Sequence, residues 1–321
     1  MGNLREIKDR IGSVRSTLKI TNAMKLVASA KLRKAQQAVE ALRPYEATLA
    51  SILSDAGGVS GSVRPEAGQS GTAVVVFSSN SSLCGAFNSN VLRKAKEVIG
   101  ALEGKVDVFA AGRKVADPLR KSGFPSVSVP GKNAEAPLDL NDLVAHPSYA
   151  GASRLAQALM DAYDAGTYSR VVLVYNHFVS TSRQDVLAET YLPFTLPSCH
   201  PAPYCHSERS EESLSASSCH SERSEESLSA PSCHSERSEE FIFEPSAALV
   251  ADSLLPQVIR LKVYTVLLDS VASEHAARTV AMQTASDNAQ DILDTLTLEY
   301  NKGRQQQITS EILDIVGGSQ Q

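Results

Sequence analysis

Cysteine and histidine, the side chains that bind metals and carry nucleophilic chemistry, are crowded into one stretch of this 321-residue chain. Four of its five cysteines and four of its seven histidines lie between Cys199 and His234. The sequence repeats there: Cys205–Ser218 reads CHSERSEESLSASS, Cys219–Ser232 reads CHSERSEESLSAPS, and Cys233–Glu240 starts the unit again. Thiolate and imidazole are zinc ligands, so a metal site is the first chemistry to consider. Each unit, however, sets Cys beside His, without the roughly two-to-four-residue gap usual for ligand pairs. Between the pairs stand Ser, Glu, Arg and a lone Leu, which cannot build a core around an ion. The stretch 198–240 therefore reads as a disordered, low-complexity acidic insertion, three Arg against nine Glu, with metal binding as the alternative.

The remaining cysteine, Cys84, follows the β-rich run Thr72–Ser79 in a strand-to-helix turn, where a helix N-terminus can lower a thiol pKa. Beside His146 or His177 it would make a nucleophile pair; otherwise it is a small buried turn residue. Phosphate chemistry has no motif. No G-x-G-x-x-G follows a strand, no Walker lysine occurs, and Gly57-Gly58-Val59-Ser60-Gly61 follows a helix instead of a strand.

The formal charge of −5 hides three unlike segments. Residues 1–44 hold ten Lys or Arg against three acids; residues 245–321 hold five basic residues against nine acidic ones. The mild overall acidity argues against a dedicated nucleic-acid binder. Trp is absent and aromatics are 5%, a thin supply for a large globular core. No apolar run approaches the roughly 18 residues of a membrane span. Met1–Glu6 resembles neither a signal peptide nor a myristoylation site, so a soluble, cytosolic chain is the expectation.

Leu4, Ile7, Ile11, Val14, Leu18, Thr21, Lys25, Ala28, Leu32, Ala35, Val39 and Leu42 are spaced by alternating steps of three and four. That spacing predicts a coiled-coil seam. Thr21 and Lys25 break its apolar character, so there the partner helix is absent or the surroundings are polar. The helix should run from residue 3 to about 56, roughly 80 Å, with Pro44 kinking or interrupting it. A looser heptad marks the other end: Val258, Leu261, Leu268, Ala272, Met282, Ala289, Leu293 and Leu296, stopped by Gly317-Gly318. It predicts a helix of roughly 108 Å. Both could sit in an ordinary bundle, but their length and small seam residues favour an antiparallel rod.

Between them, strands are expected at Thr72–Ser79, Lys105–Ala110, Ser126–Val129, Arg170–His177 and Asp185–Phe194. Helices are expected at Asn88–Leu102, Gly112–Ser122 and Ser153–Tyr163. The alternation implies a mainly parallel sheet. The expected domain plan is an N-terminal coiled-coil helix (1–57), an α/β domain (72–197), the repeat (198–240), a candidate return strand (241–244) and a C-terminal helix (245–321).

Several segments resemble one family. Ile20–Gln36 (ITNAMKLVASAKLRKAQ) is similar to the N-terminal signature of gamma subunits of F-type ATP synthases. Ala272–Arg278 (ASEHAAR), Asn301–Gln305 (NKGRQ) and Ile308–Ile312 (ITSEI) reinforce it, and Ser82–Asn88 (SLCGAFN) resembles the family's middle-domain turn. The chain departs at Asn80-Ser81-Ser82, where a charged, glycine-containing lead-in is usual, at Gly303, where Ala is frequent, and in the repeat.

The resemblance implies an antiparallel coiled coil with a central Rossmann-like α/β domain. It implies a rotor shaft inside a ring of alpha and beta subunits, seated on epsilon and the membrane c-ring, one copy per complex. The place implied is the cytoplasmic face of a bacterial inner membrane, with no catalysis by the chain, no cofactor and no nucleic acid. By motif match, Met24 and Lys25 lie at the beta-contact region, and Arg304, Gln305 and Thr309 match positions touching the beta catch loops. Lys31, Arg33 and Lys34 join Lys25 as basic candidates for acidic beta loops, and Ile308, Ile312, Leu313, Ile315 and Val316 form a tip suited to a hydrophobic bearing. Rival readings are a non-rotary coiled-coil adaptor with an α/β head and an α/β enzyme with helical arms.

Overall fold

The computed structural model describes residues 2–56, 71–102, 104–129, 138–194, 244 and 246–318. The repeat of 198–240 and the candidate strand at Phe241-Ile242-Phe243 lie outside the described residues.

Two helices dominate: α1, Gly2–Asp55, with 54 residues, and α6, Ala247–Gly318, with 72. At 1.5 Å per residue they span roughly 81 and 108 Å. All twelve seam positions of α1 are buried or half-buried, and most residues between them are exposed. The partner helix runs antiparallel. Leu4 meets Gly303, Thr21 meets Ser286, Leu32 and Ala35 cluster with Ala272 and Ala276, and Leu49 and Leu53 cluster with Val258 and Leu261. Thr21 is not a gap in the seam: Ser286 Oγ donates to Thr21 Oγ1 at 2.8 Å. A partly buried hydroxyl pair of this kind satisfies both groups across the two helices.

Of the two outcomes expected at Pro44, a kink or an interruption, the interruption does not occur: α1 runs on through it. The ring stands on an exposed face, so its cost is confined to the missing backbone bond and local strain, about 3 kcal/mol. Burial of Leu49 and of Leu53, the latter 0% exposed, holds the following turns on α6.

Past Gly303, α6 continues fifteen residues to Gly318, an overhang of roughly 22 Å. A Cβ added to Gly303 would lie 2.9 Å from Leu4 Cδ2, the end of a flexible side chain. Gly303→Ala should therefore stabilise the chain by about 0.5–1 kcal/mol through helix propensity once Leu4 turns aside. A raised urea midpoint with unchanged slope would report it.

The head is built on a four-stranded sheet: β1 (Gly71–Phe77), β2 (Val106–Ala111), β3 (Tyr168–Phe178) and β4 (Gln184–Leu192), in the order β2-β1-β3-β4. β1 pairs in parallel with β2 and β3, and β4 returns antiparallel on β3. Side chains alternate across it as a pleated sheet requires. Val74, Val76, Val172 and Val174 face α2 (Phe87–Ala101) and α3 (Arg113–Lys121). Ala73, Val75, Phe77, Val171, Leu173 and Tyr175 face α4 (Leu140–Ala145), α5 (Tyr149–Asp164) and α6 itself.

α6 thus belongs to both parts: Ile259, Val263, Val266, Leu267 and Val271 are core residues of the head. Polar contacts reinforce the packing. Tyr191 Oη donates to the Ile259 carbonyl at 2.9 Å, and Lys262 Nζ lies 3.2 Å from Glu189 Oε1.

Two local expectations changed. Ser126–Val129 makes only isolated bridges, Val108 with Ser126 and Val129 with Leu138; Pro125 and Pro130 flank it and withhold ladder donors. The six-residue α4, too short to show a period, is an addition, its first turn capped by the Asp139 carboxylate accepting from Asn141 N–H. Among the described residues no helix is long and apolar enough to cross a membrane.

Candidate partner-contact surfaces

The residues singled out in the sequence fall on two surfaces. One is a cleft of about 750 Å³ beside the head. Lys31 and Lys34 of α1 form one wall, and Glu274, His275 and Arg278 of α6 the facing one. Asn80 and Ser81 of the β1–α2 loop and His146 and Ser148 of the α4–α5 connection complete it. Met24, Ala23 and Val27 extend it along α1 into an apolar patch that shares Lys31, His275 and Arg278. Lys25 is half-buried in the seam, and Arg33 is exposed.

The electrostatics of the cleft are set by one buried ion pair. Arg278 Nη2 lies 2.8 Å from Glu274 Oε1, with both side chains nearly buried, and also donates to Ser81 Oγ at 2.7 Å. Burial pushes the Glu274 carboxyl above its ordinary range, against the pull of Arg278 and Lys31. His275 is driven down to about 4, first by burial and then by the charges of Arg278 and Lys31. It is therefore neutral in the fold near pH 7. Its contribution to stability is present above the ordinary imidazole value and is lost as pH falls toward 4. With Glu274 neutralised by Arg278, Lys31 and Lys34 give the cleft its positive character.

The second surface is the overhang, roughly 40 Å further along the rod. Arg304, Gln305 and Thr309 are exposed there. Ile308, Ile312, Leu313, Ile315 and Val316 are 47–72% exposed, an exposed apolar surface.

Cys84 is 1% exposed in the β1–α2 turn, with Asn88 Nδ2 3.1 Å from its Sγ and Ser79 Oγ at 3.7 Å. The Cys84 thiol contacts Ser79, the Ser81 carbonyl and Asn88, and among the described residues it bonds neither His177, which is engaged by Asp269, nor His146, which lines the basic cleft. Among the described residues no group of three or more His, Cys, Asp or Glu is placed to hold a metal ion. The turn is seated by Gly112, whose φ is +116° and whose added Cβ would fall 2.5 Å from the Ser78 carbonyl oxygen. Gly112→Ala should cost more than about 3 kcal/mol, because strain and backbone collision coincide. A thermal shift of the full chain measures it.

A family model described as ATP synthase matches residues 3–320. The ATP synthase gamma chain of Phocaeicola vulgatus is 42% identical over 327 residues, covering 99% of both chains. This chain belongs to the ATP synthase gamma chain family. The gamma chain of Bacteroides thetaiotaomicron is 41% identical across 100% of both chains. In fold, a rotor chain of Euglena gracilis mitochondrial ATP synthase in rotational state 1 matches with a TM-score of 0.55 at 18% identity, covering 96% of this chain and 99% of that one.

Membership in the gamma chain family explains why the sequence motifs cluster as they do. Ile20–Gln36 and Ala272–Arg278 face each other across the cleft, and Asn301–Ile312 spans the start of the overhang. Sequence reading named the motifs but missed Glu274, Arg278 and Ser81 as a bonded unit. The i,i+4 spacing of Glu274 and Arg278 was the available signal; the third member comes from a loop 197 residues away.

Proposed function

We propose that the chain is the central rotor shaft of an F-type ATP synthase, passing rotation between a membrane c-ring and the alpha/beta catalytic hexamer. On this reading residues 1–57 and 245–321 form the shaft, and 72–197 form the head seated on epsilon and the c-ring. One copy serves each complex, as a peripheral protein at the cytoplasmic face of the membrane.

The observation that carries the reading is the continuity of α6. One helix is core of the head at Ile259–Val271 and exposes the apolar side chains of Ile308, Ile312, Leu313 and Ile315 at its far end. Turning the head therefore turns the tip. The shaft needs no catalytic group: it acts by making different contacts with beta subunits in different conformations, and differential contact free energy shifts their populations. About 1.4 kcal/mol of difference changes such an equilibrium tenfold. Lys31 and Lys34, with exposed Arg33, suit acidic partner loops by long-range attraction. Met24 and Lys25 border that surface, Arg304, Gln305 and Thr309 meet beta at the far end, and the apolar tip turns within an apolar sleeve.

Reconstitution with alpha and beta subunits tests this. ATPase activity should rise on adding the full chain, and the three should co-purify. Co-purification with other proteins, without alpha and beta, would favour the adaptor.

A further inference from the structure

We propose that Asp269 and Ser273 of α6, by holding residues 176–178 at the end of β3, form a clasp between head and shaft that tightens when His177 is protonated and slackens when it is not. Asp269 is 6% exposed, and both its oxygens are used. Oδ2 bonds His177 Nδ1, and Oδ1 accepts the Phe178 backbone N–H at 3.1 Å. One turn further on, Ser273, fully buried, donates its hydroxyl to the Asn176 carbonyl at 3.1 Å. Phe178 itself packs on the cluster of Leu32, Ala35, Ala272 and Ala276. Three consecutive residues of one strand are thus tied to α6, and the third also touches the helix pair. Past this point the shaft leaves the sheet.

Among the described residues, the charges acting on His177 are Asp269 on α6, Asp185 on β4 and Arg43 on α1. The bond to Asp269 raises the imidazole above its ordinary value; burial and Arg43 work against it. Tyr175, on the same face of β3, senses the Asp269 charge as well and stays protonated. A raised folded-state value means that the stabilisation is complete below the ordinary imidazole pKa and is lost as pH rises through the raised one. Protonated His177 and the Asp269 carboxylate form an ion pair as well as a hydrogen bond; after deprotonation the imidazole N–H still donates to the carboxylate, but the attraction between opposite charges is gone. His177 and His275 therefore respond to pH in opposite senses: the clasp weakens in base, and the wall of the basic cleft weakens in acid.

Given the rotor reading, the clasp lies between the head and the rod that the head turns, so its slackening would add torsional play as pH rises through the raised His177 value. Hydrogen exchange of the full chain tests the clasp whether or not the chain turns within a complex. After correction for intrinsic rates, exchange of the Phe178 amide should quicken about tenfold as pH rises through the His177 transition. His177→Gln, which keeps a hydrogen-bonding side chain, should remove that dependence, and Asp269→Asn should remove it and quicken exchange at every pH. The imidazole titration of His177 should also move down in Asp269→Asn. A flat pH profile in the unmodified chain, or a profile in His177→Gln like that of the unmodified chain, would overturn the proposal.

Discussion

Arg278→Ala should destabilise the chain by about 3 kcal/mol, the usual cost of removing one partner from a buried ion pair. Both side chains of the pair are nearly sealed, Arg278 at 12% and Glu274 at 10% exposure. The loss would come less from the missing attraction than from the carboxylate left behind in a poorly solvated wall. That distinction has a signature in a second variant. Arg278→Ala with Glu274→Gln removes the orphaned charge and should regain most of the stability, whereas Arg278→Ala alone should not. It also has a signature in pH. Burial already raises Glu274 above its ordinary value, and without Arg278 it would rise further. The single variant should thus be least damaged in acid, where Glu274 is protonated, and lose stability as pH rises through the raised value. Urea unfolding of the full chain at several pH values reads both. Should the double variant be no more stable than the single one, the damage would lie in the lost Ser81 bond and the packing of the Arg278 stem.

Such couplings mark the boundary of what the residues disclose in one dimension. The seam of α1 was legible because burial imposes a period on neighbouring positions, and that period needs no knowledge of the partner. The central strands of the head were legible differently, as short β-branched apolar runs, since β1 is buried along its whole length. What the period cannot carry is the identity of the residue across the seam. Thr21 looked like a flaw until its hydroxyl met Ser286, 265 residues away. Asp269 and His177, 92 residues apart, lie on elements whose own patterns are satisfied by burial alone. Pro44 misled in the opposite direction. Local chemistry allows a kink or a break there, and against the break, apolar contacts further along the helix outweigh a local cost of about 3 kcal/mol. Of the candidate contact residues, the motif matches gave positions, while their division between a cleft beside the head and a distant overhang required the register of two helices.

Replacing Arg304 and Gln305 together with alanine should leave the fold untouched and still cut proton-driven ATP synthesis by about tenfold or more. Both halves follow from the same fact. The two side chains are exposed where α6 passes the first turn of α1, so the chain gains little stability from them. Exposed substitutions of this kind stay within about 0.5 kcal/mol, and alanine is the better helix former, so the midpoint of unfolding should not fall. Coupling is another matter, since a rotor acts only through contacts that differ between the conformations of its partners. Losing about 1.4 kcal/mol of such a difference is already a tenfold change in population, and a charge-assisted bond from a guanidinium is of that size. The effect should fall on synthesis and on assembly with the hexamer, leaving head contacts intact. Measuring the unfolding midpoint of the variant chain beside the synthesis rate of the reconstituted complex separates the two. Normal synthesis in the double variant would remove Arg304 and Gln305 from the coupling surface, and the overhang would then act through its apolar face, Ile308 to Val316, alone.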